Sequence, residues 1–347
     1  MSFTAFNPED SVVSADAVIS PMWSSDVTTL TTFFTSSVQE SSIPGTFYLD
    51  VYQTQSAATD AQVQFSIAYG HISGSGSAYF NPAIPDKTPT RDIYGQFRSL
   101  IYGDENTPFT FGSNNYSSKD IIVLSINRAR FKESFNPGSM TLTLTTGSNT
   151  LKLTDDSTVT TTATYIGTAR VYQLLSGSFN SVYSSNYTVS GSYGIVVPDE
   201  GLIILNPRAL ANPVGNLGGL NVTWNEFSSS QAAAWTSVSG SYNLNNRKVF
   251  ELLSSGASFR LQNYETISSR YFFVRVKNAE NNYTTNPTVI DSNGNLLYTQ
   301  LIYNPQTFIT TVGLYNDTGD LLAVAKLNKP LIKDFTKELL LRVKLDF

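Results

Sequence analysis

Apolar and polar residues alternate most cleanly over the last forty residues. In the final run, Leu341, Val343, Leu345 and Phe347 alternate with Arg342, Lys344 and Asp346. Successive side chains leave a strand on opposite sides, so this period of two describes a strand with one face buried and one in water. Phe308–Phe347 predicts three such strands, divided by a turn at Asn316-Asp317-Thr318-Gly319-Asp320 and by a break at Pro330. The pattern persists to Phe347, so this end is expected to be tied into a sheet rather than frayed.

Upstream, Val63, Phe65, Ile67 and Tyr69 alternate with Gln62, Gln64, Ser66 and Ala68, and with Thr46–Tyr52 they predict a hairpin. Asp120–Ile126 is almost unbroken apolar sequence, the mark of a strand buried on both faces. Met140–Leu144 and Leu151–Leu153 read as a second hairpin, and Tyr271–Lys277 alternates again. Three helices are predicted. Met22–Glu40 carries Val27, Leu30, Phe33, Phe34 and Val38 close to one stripe and stops at Pro44-Gly45. A second is capped by Thr90, aligns Ile93, Phe97, Leu100 and Ile101 on one face, and has Gly103 just past its end. The third is Asn246–Ser255. His71–Pro89 reads as a long loop, and Thr158–Gly240 as strands and turns. The tetrapeptides SGSF and SGSY at Ser176, Ser190 and Ser239 lack regular spacing, so they are turn chemistry rather than a repeat.

The expected fold is mainly β: an antiparallel β-sandwich with a few short helices and a long internal β-rich insertion. Residues 1–105 with 306–347 are expected to form the main β domain from the two chain ends, and 106–305 the insertion or second domain.

Composition narrows the partners. Of 347 residues only 14% are charged, against roughly 25% in an average globular chain, and Ser, Thr, Asn and Tyr fill the gap. The net charge is −5, and the densest basic region, Lys326–Lys344, is broken by Asp334 and Glu338. Phosphate-gripping proteins carry a basic patch, so no nucleic-acid partner is expected. There is no cysteine and a single histidine, which excludes disulfides, Cys-ligated zinc and His-rich metal sites. The first residues lack the basic-then-apolar layout of a signal peptide, and no apolar run reaches the roughly 20 residues of a membrane helix.

The catalytic signals are thin. No G-x-S-x-G elbow, P-loop or dinucleotide fingerprint is present. His71 could serve a Ser–His–acid set with Ser73 or Ser75, but a histidine at a strand end is far more often an ordinary hydrogen-bonding residue. Asp104-Glu105, Asp155-Asp156 and Asp199-Glu200 are carboxylate pairs by type, and all lie beside turn residues, where acids are common. Asn316–Asp320 resembles a calcium loop in composition but lacks the ligand spacing and closing Glu of an EF-hand, so a hairpin turn is expected. No cofactor and no enzymatic role are expected. The 19 Tyr and 21 Phe residues divide between core and interface.

The C-terminal layout TTVGLYND…LLAVAKL…PL.KDF.KE…VKLDF resembles virion structural proteins of contractile-tailed phages, especially those infecting cyanobacteria. Similar stretches keep their order along the chain: FFTSS at Phe33–Ser37, VQFSIAYGH at Val63–His71, TRDIYGQFRSLIYGDEN at Thr90–Asn106, RARFKESFNPGS at Arg128–Ser139 and FVRVKNAENNYTTNP at Phe273–Pro287. The resemblance implies a structural tail subunit without an active site, and the layout is similar to that of a baseplate wedge component. It implies other tail and baseplate proteins as partners, a homodimer or multiple copies in a symmetric assembly, and a place in the virion after assembly in the host cytoplasm. Alternatives are a receptor- or glycan-binding module associated with a tail fibre, and a capsid or neck accessory protein. Arg91, Arg98, Arg128 and Arg130, with Tyr94 and Tyr102, sit in these motifs and are the candidate interface residues. The arginines suit either inter-subunit ion pairs or local salt bridges.

Overall fold

The computed structural model describes residues 5–36, 48–76, 89–112, 116–160, 162, 164–215, 217–224, 245–254, 256–284 and 286–346. The chain is mainly β, with large antiparallel sheets, one of them curled into a half-barrel, in the manner of a β-sandwich fold. It divides into two compact units: residues 1–17 with 266–347, and residues 18–265.

In chain order the strands and helices begin with β1 (Ser11–Pro21), β2 (Thr29–Leu30), β3 (Leu49–Tyr52), β4 (Val63–His71) and helix α1 (Pro89–Tyr102). Then come β5 (Phe109–Phe111), β6 (Tyr116–Ser118), β7 (Asp120–Ile126), β8 (Ser134–Phe135), β9 (Thr141–Thr146), β10 (Asn149–Asp155) and β11 (Thr164–Ile166). β12 (Ala169–Ser178), β13 (Ser181–Val182), β14 (Gly194–Val197), β15 (Leu202–Leu205), α2 (Pro207–Ala211) and α3 (Asn245–Ser254) follow. The last are β16 (Phe259–Arg260), β17 (Gln262–Val276), α4 (Thr299–Tyr303), β18 (Thr307–Tyr315), β19 (Leu321–Lys333) and β20 (Leu339–Asp346). The chain leaves the first unit within β1 and re-enters it within β17.

The larger unit is built on one sheet, in the order β2-β16-β9-β10-β12-β14-β15-β7-β4-β3. Period two divides its apolar residues between two cores. Phe65, Ile67, Ile122, Leu124, Leu142 and Ile203 face one side, while Ala68, Ile121, Val123, Ile195 and Ile204 face the other. Helix α3 covers the first face through Val249, Phe250 and Leu253, and α1 covers the second through Ile93, Tyr94, Phe97 and Ile101. Burial on both faces explains why Asp120–Ile126 is an unbroken apolar run.

Gly70 sets the closeness of α1 to the sheet. A Cβ there would lie 2.9 Å from the backbone nitrogen of Tyr94 and 3.1 Å from its Cα, neither of which can rotate away. Gly70→Ala is therefore expected to destabilise the unit by about 1–3 kcal/mol, seen as a lower urea midpoint at unchanged slope.

Several expectations are corrected. Met22–Glu40 is not a helix over its described part. Trp23 bridges Val27, Thr29–Leu30 is a strand and Phe34 bridges Tyr52, while 37–40 lies outside the described residues. Ser25 and Asp26 adopt φ of 65° and 52°, which a helix cannot contain, and Trp23, Leu30 and Phe33 are drawn singly into the core. Helix α1 starts at Pro89, so Thr90 lies in its first turn rather than capping it. The two compact units divide after residues 17 and 265. β4 pairs with β7 from Phe65↔Ile126 to His71↔Asp120, which ties the early hairpin into the larger unit.

The smaller unit packs β17 and β20 against the β18–β19 hairpin. Leu341 and Val343 of β20 meet Val312 and Leu314 of β18 over Phe272 and Val274. β20 runs along β17 from Ser269↔Asp346 to Val276↔Leu339, while Phe347 lies outside the described residues. Asn316–Asp320 forms the hairpin turn: the Asn316 side-chain oxygen accepts from the Asp320 amide at 2.7 Å, and Gly319 takes φ 87°. Pro330 does not break the chain but lies inside β19. The register passes from Ile309↔Leu331 to Thr311↔Lys326, so Leu327–Pro330 bulge out, and a residue without an N–H is tolerated there. Lys333 is fully buried, and its ammonium donates to the Asn278 carbonyl (2.9 Å), Asn282 Oδ1 (2.8 Å) and the Asp334 carbonyl (2.9 Å).

Candidate functional site

The residues that carry chemistry gather in the larger unit around Asp120, at the head of β7. Asn206 caps α2 by accepting from the Arg208 amide at 3.1 Å, while its own amide donates to the carbonyls of Ser190 (2.7 Å) and Ser192 (2.9 Å). Pro207 supplies a preset φ at the first helical position. This fixed start aims Arg208 at Asp120, and Nε donates to Oδ1 at 3.1 Å. Ser118 Oγ donates to the same oxygen at 3.1 Å, and the Tyr69 hydroxyl donates to Oδ2 at 3.0 Å. Asp120 is wholly buried, so these three donors replace water around its charge. Burial, followed by the neighbouring Asp120 carboxylate, pushes the Tyr69 phenol well above its ordinary range.

His71 pairs with Asp120 in register across β4 and β7 and is buried. Its Nδ1 accepts from the Ser73 amide at 3.1 Å and lies 3.0 Å from Ser73 Oγ. The structure thus brings the predicted Ser73–His71 pair together. Both oxygens of Asp120 already accept from Tyr69, Ser118 and Arg208, so this carboxylate braces the strand ends rather than orienting the imidazole. Burial lowers the His71 pKa below its ordinary value; Asp120 opposes that shift, and Arg208 and Lys119 add to it. A lowered folded-state pKa means that the unfolded chain binds the proton more readily. Stability is therefore full above the unfolded value near 6.5 and falls as pH drops below it. His71 is the only histidine. Urea midpoints measured between pH 7 and 5 should decline in the wild type and lose that part of the slope in His71→Gln.

The predicted carboxylate pairs are placed apart. The exposed Asp104 carboxylate accepts from the Thr107 hydroxyl and from the amides of Asn106 and Thr107, each amide at 2.9 Å, which lowers its pKa. Asp155 accepts from the Gly138 amide at 2.9 Å, and Asp156 from the Gln173 amide at 3.0 Å, with burial raising the Asp156 pKa. Asp199 pairs with Arg170 at 2.7 Å. Among the described residues no group of three or more His, Cys, Asp or Glu could hold a metal. Among the described residues no helix is long and apolar enough to cross a membrane.

The candidate interface residues separate likewise. Tyr94 is core: it is 1% exposed, donates to the Ser118 carbonyl at 2.9 Å and accepts from the Phe109 amide at 2.9 Å. A candidate interface residue by its motif, Tyr94 has its ring buried within the larger unit. Tyr102 is half-buried, accepts from the Thr110 amide at 3.2 Å and packs edge-on to Phe109. Arg98 lies over the Tyr94 ring at 5.5 Å, and Arg91 is exposed on the same helix. Arg128 is exposed and folds back on its own turn, donating to the carbonyls of Phe131 and Lys132. The Arg130 carbonyl accepts from Asn263 at 2.9 Å. Arg98 and Arg128 therefore settle locally, the first on an aromatic face and the second on carbonyls. Arg128 also lines a cleft of about 620 Å³ with Lys132, Glu133, Asp199 and Glu200.

Comparison with known families, with curated proteins and with solved structures gives no match.

The smaller unit offers an apolar surface. On the outer side of the β18–β19 hairpin, Phe308 and Ile332 face each other in register and are 61% and 41% exposed. Leu322 and Val324 continue that surface at 68% and 58%, and Tyr303 on α4 is 91% exposed. Sequence reasoning read Phe308–Phe347 as strands with one wet face and did not mark that face as sticky. The available signal was the run Leu321, Leu322, Ala323, Val324, Ala325, which places apolar residues at both parities of a strand.

Proposed function

We propose that the chain is a structural subunit of a contractile phage tail, placed in the baseplate wedge, where it joins neighbouring subunits and takes part in the rearrangement linked to contraction. The supporting observation is the apolar hairpin face formed by Phe308, Leu322, Val324 and Ile332, since exposed patches of this kind mark protein contacts. It lies within the segment whose layout resembles phage virion proteins. Such a subunit works by differential binding. It favours one arrangement of its neighbours until a second arrangement, with a different contact energy, is triggered.

Replacing both Leu322 and Val324 by aspartate is expected to leave the urea midpoint within about 0.5 kcal/mol of wild type, because both side chains already sit in water. Incorporation into particles should be lost, as scored by the protein content of purified virions. The placement is tested by cryo-electron microscopy of the intact particle. Density in the baseplate beside wedge subunits supports it. Density on capsid, neck or fibre tips overturns the wedge assignment, and absence from the particle overturns the structural role.

A further inference from the structure

We infer that the edge of β18 not occupied by β19 takes an added strand from another polypeptide, through an uncharged extended segment. In the smaller unit a cleft of about 640 Å³ runs along this strand, lined by all seven consecutive residues 306–312. A cleft touching one face of a strand would meet alternate residues only, so seven in succession mean that it follows the edge, where backbone groups are presented. β18 belongs to a two-stranded sheet, and among the described residues its only strand partner is β19. Its other edge therefore carries N–H and C=O groups without a ladder.

The other edge strands of this unit are guarded. β20 carries Arg342, Lys344 and Asp346, β19 carries Lys326, Lys329 and Pro330, and the part of β1 in this unit carries Asp16. Charges and prolines of this kind are what keep edges from pairing with other chains. β18, with the sequence TFITTVGLY, has neither over nine residues. The cleft matches it. Its apolar floor is Val274, Val276 and Leu341, its rim includes Asn281 and Thr284, and no Asp, Glu, Lys, Arg or His lines it. The rim residue Tyr283 spends its hydroxyl on the Gly294 carbonyl at 2.7 Å. A charged segment would lose its hydration here without gaining a counter-ion. An uncharged one, with apolar side chains inward and hydroxyls outward, would gain backbone hydrogen bonds and apolar contact together. Seven residues span roughly 23 Å, the reach of an ordinary strand.

The test uses the isolated full chain, so it succeeds or fails apart from the tail assignment. The probe is the capped synthetic peptide SVTVSVT, read by hydrogen-exchange mass spectrometry across residues 306–312. With peptide at ten times its dissociation constant, exchange in this segment should slow by about tenfold. Thr310→Pro should abolish that protection. Thr310 has no register partner on β19, and the proline removes its N–H and places a ring on the strand within the cleft segment. Thr311→Lys, at an exposed position, should abolish it by charge alone. The capped peptide KVEVKVE should give no protection. Absence of protection with SVTVSVT at millimolar concentration, or equal protection in both variants, would overturn the inference. So would a concentration-dependent dimer that is lost in Thr310→Pro without peptide protection, since that assigns the edge to a second copy.

Discussion

Replacing Trp23 by alanine is expected to destabilise the larger unit by about 4 kcal/mol, the middle of the range for a buried aromatic. Trp23 is 2% exposed and stands in the middle of an aromatic cluster, with ring centroids 4.9 Å from Phe259 and 6.1 Å from Phe65. Phe65 in turn packs edge-on to Phe259 at 5.5 Å, so the cavity would be walled by rings that cannot all shift inward together. The indole N–H donates to the Phe259 carbonyl at 3.0 Å, and the variant strands that acceptor as well. Urea unfolding followed by far-ultraviolet circular dichroism reads the loss. A change below about 1 kcal/mol would mean that the cluster collapses around the gap and that Trp23 is not a keystone of this core.

Asp120→Asn is expected to reduce stability by about 3 kcal/mol, the lower end for breaking a buried ion pair. The lower end applies because the Arg208 side chain keeps 31% of its surface in water and can recover some hydration. The carboxylate accepts from three donors on two oxygens, whereas an asparagine has one acceptor oxygen and one donor nitrogen. In either orientation the nitrogen faces a group that was donating. A double-mutant cycle with Arg208→Gln isolates the coupling between the two side chains. The phenol of Tyr69 gives a second readout. Burial remains in the variant and the negative charge does not, so Tyr69 should titrate below its wild-type value while staying above that of a free tyrosine. An unchanged Tyr69 titration would mean that the carboxylate does not act on it.

Legibility in the sequence followed the range of the interactions. β7, the β9–β10 hairpin and β20 were visible because their burial pattern is written into consecutive residues, on two faces for β7 and on one for β20. Helix α3, with Val249, Phe250, Leu252 and Leu253 buried, was visible by its helical period for the same reason. Met22–Glu40 misled because Val27, Leu30, Phe33, Phe34 and Val38 approximate a helical stripe, whereas Trp23, Leu30 and Phe33 are the residues buried in the core. Their common destination is an aromatic core completed by Phe259, more than two hundred residues away. The Asp120–Arg208 pair joins positions 88 residues apart, and no local pattern announces it. An acid opening an apolar strand did signal that some partner had to exist. Lys333 shows the opposite failure. It read as part of a basic stretch, and its burial depends on Asn278 and Asn282, which a distant turn brings to it. Tyr94 is a candidate interface residue through the motif it sits in, and its burial against the sheet at Gly70 depends on a strand that the motif does not contain.

The split composition of the smaller unit has a consequence for biosynthesis. Residues 1–17 and 266–347 make one compact body, and the intervening 18–265 make the other. Translation delivers β1 early and its partner β17 only after some 250 further residues, on the order of ten to fifty seconds later. During that interval Val12, Val13 and Ile19 of β1 lie on a nascent segment whose pairing strand does not yet exist. The larger unit has its whole sequence in hand first, so the order of maturation runs from the middle of the polypeptide outward. A chain that has released residues 18–265 from the ribosome but not yet β20 would display a folded middle with an incomplete outer body, the species on which a cellular holdase would act.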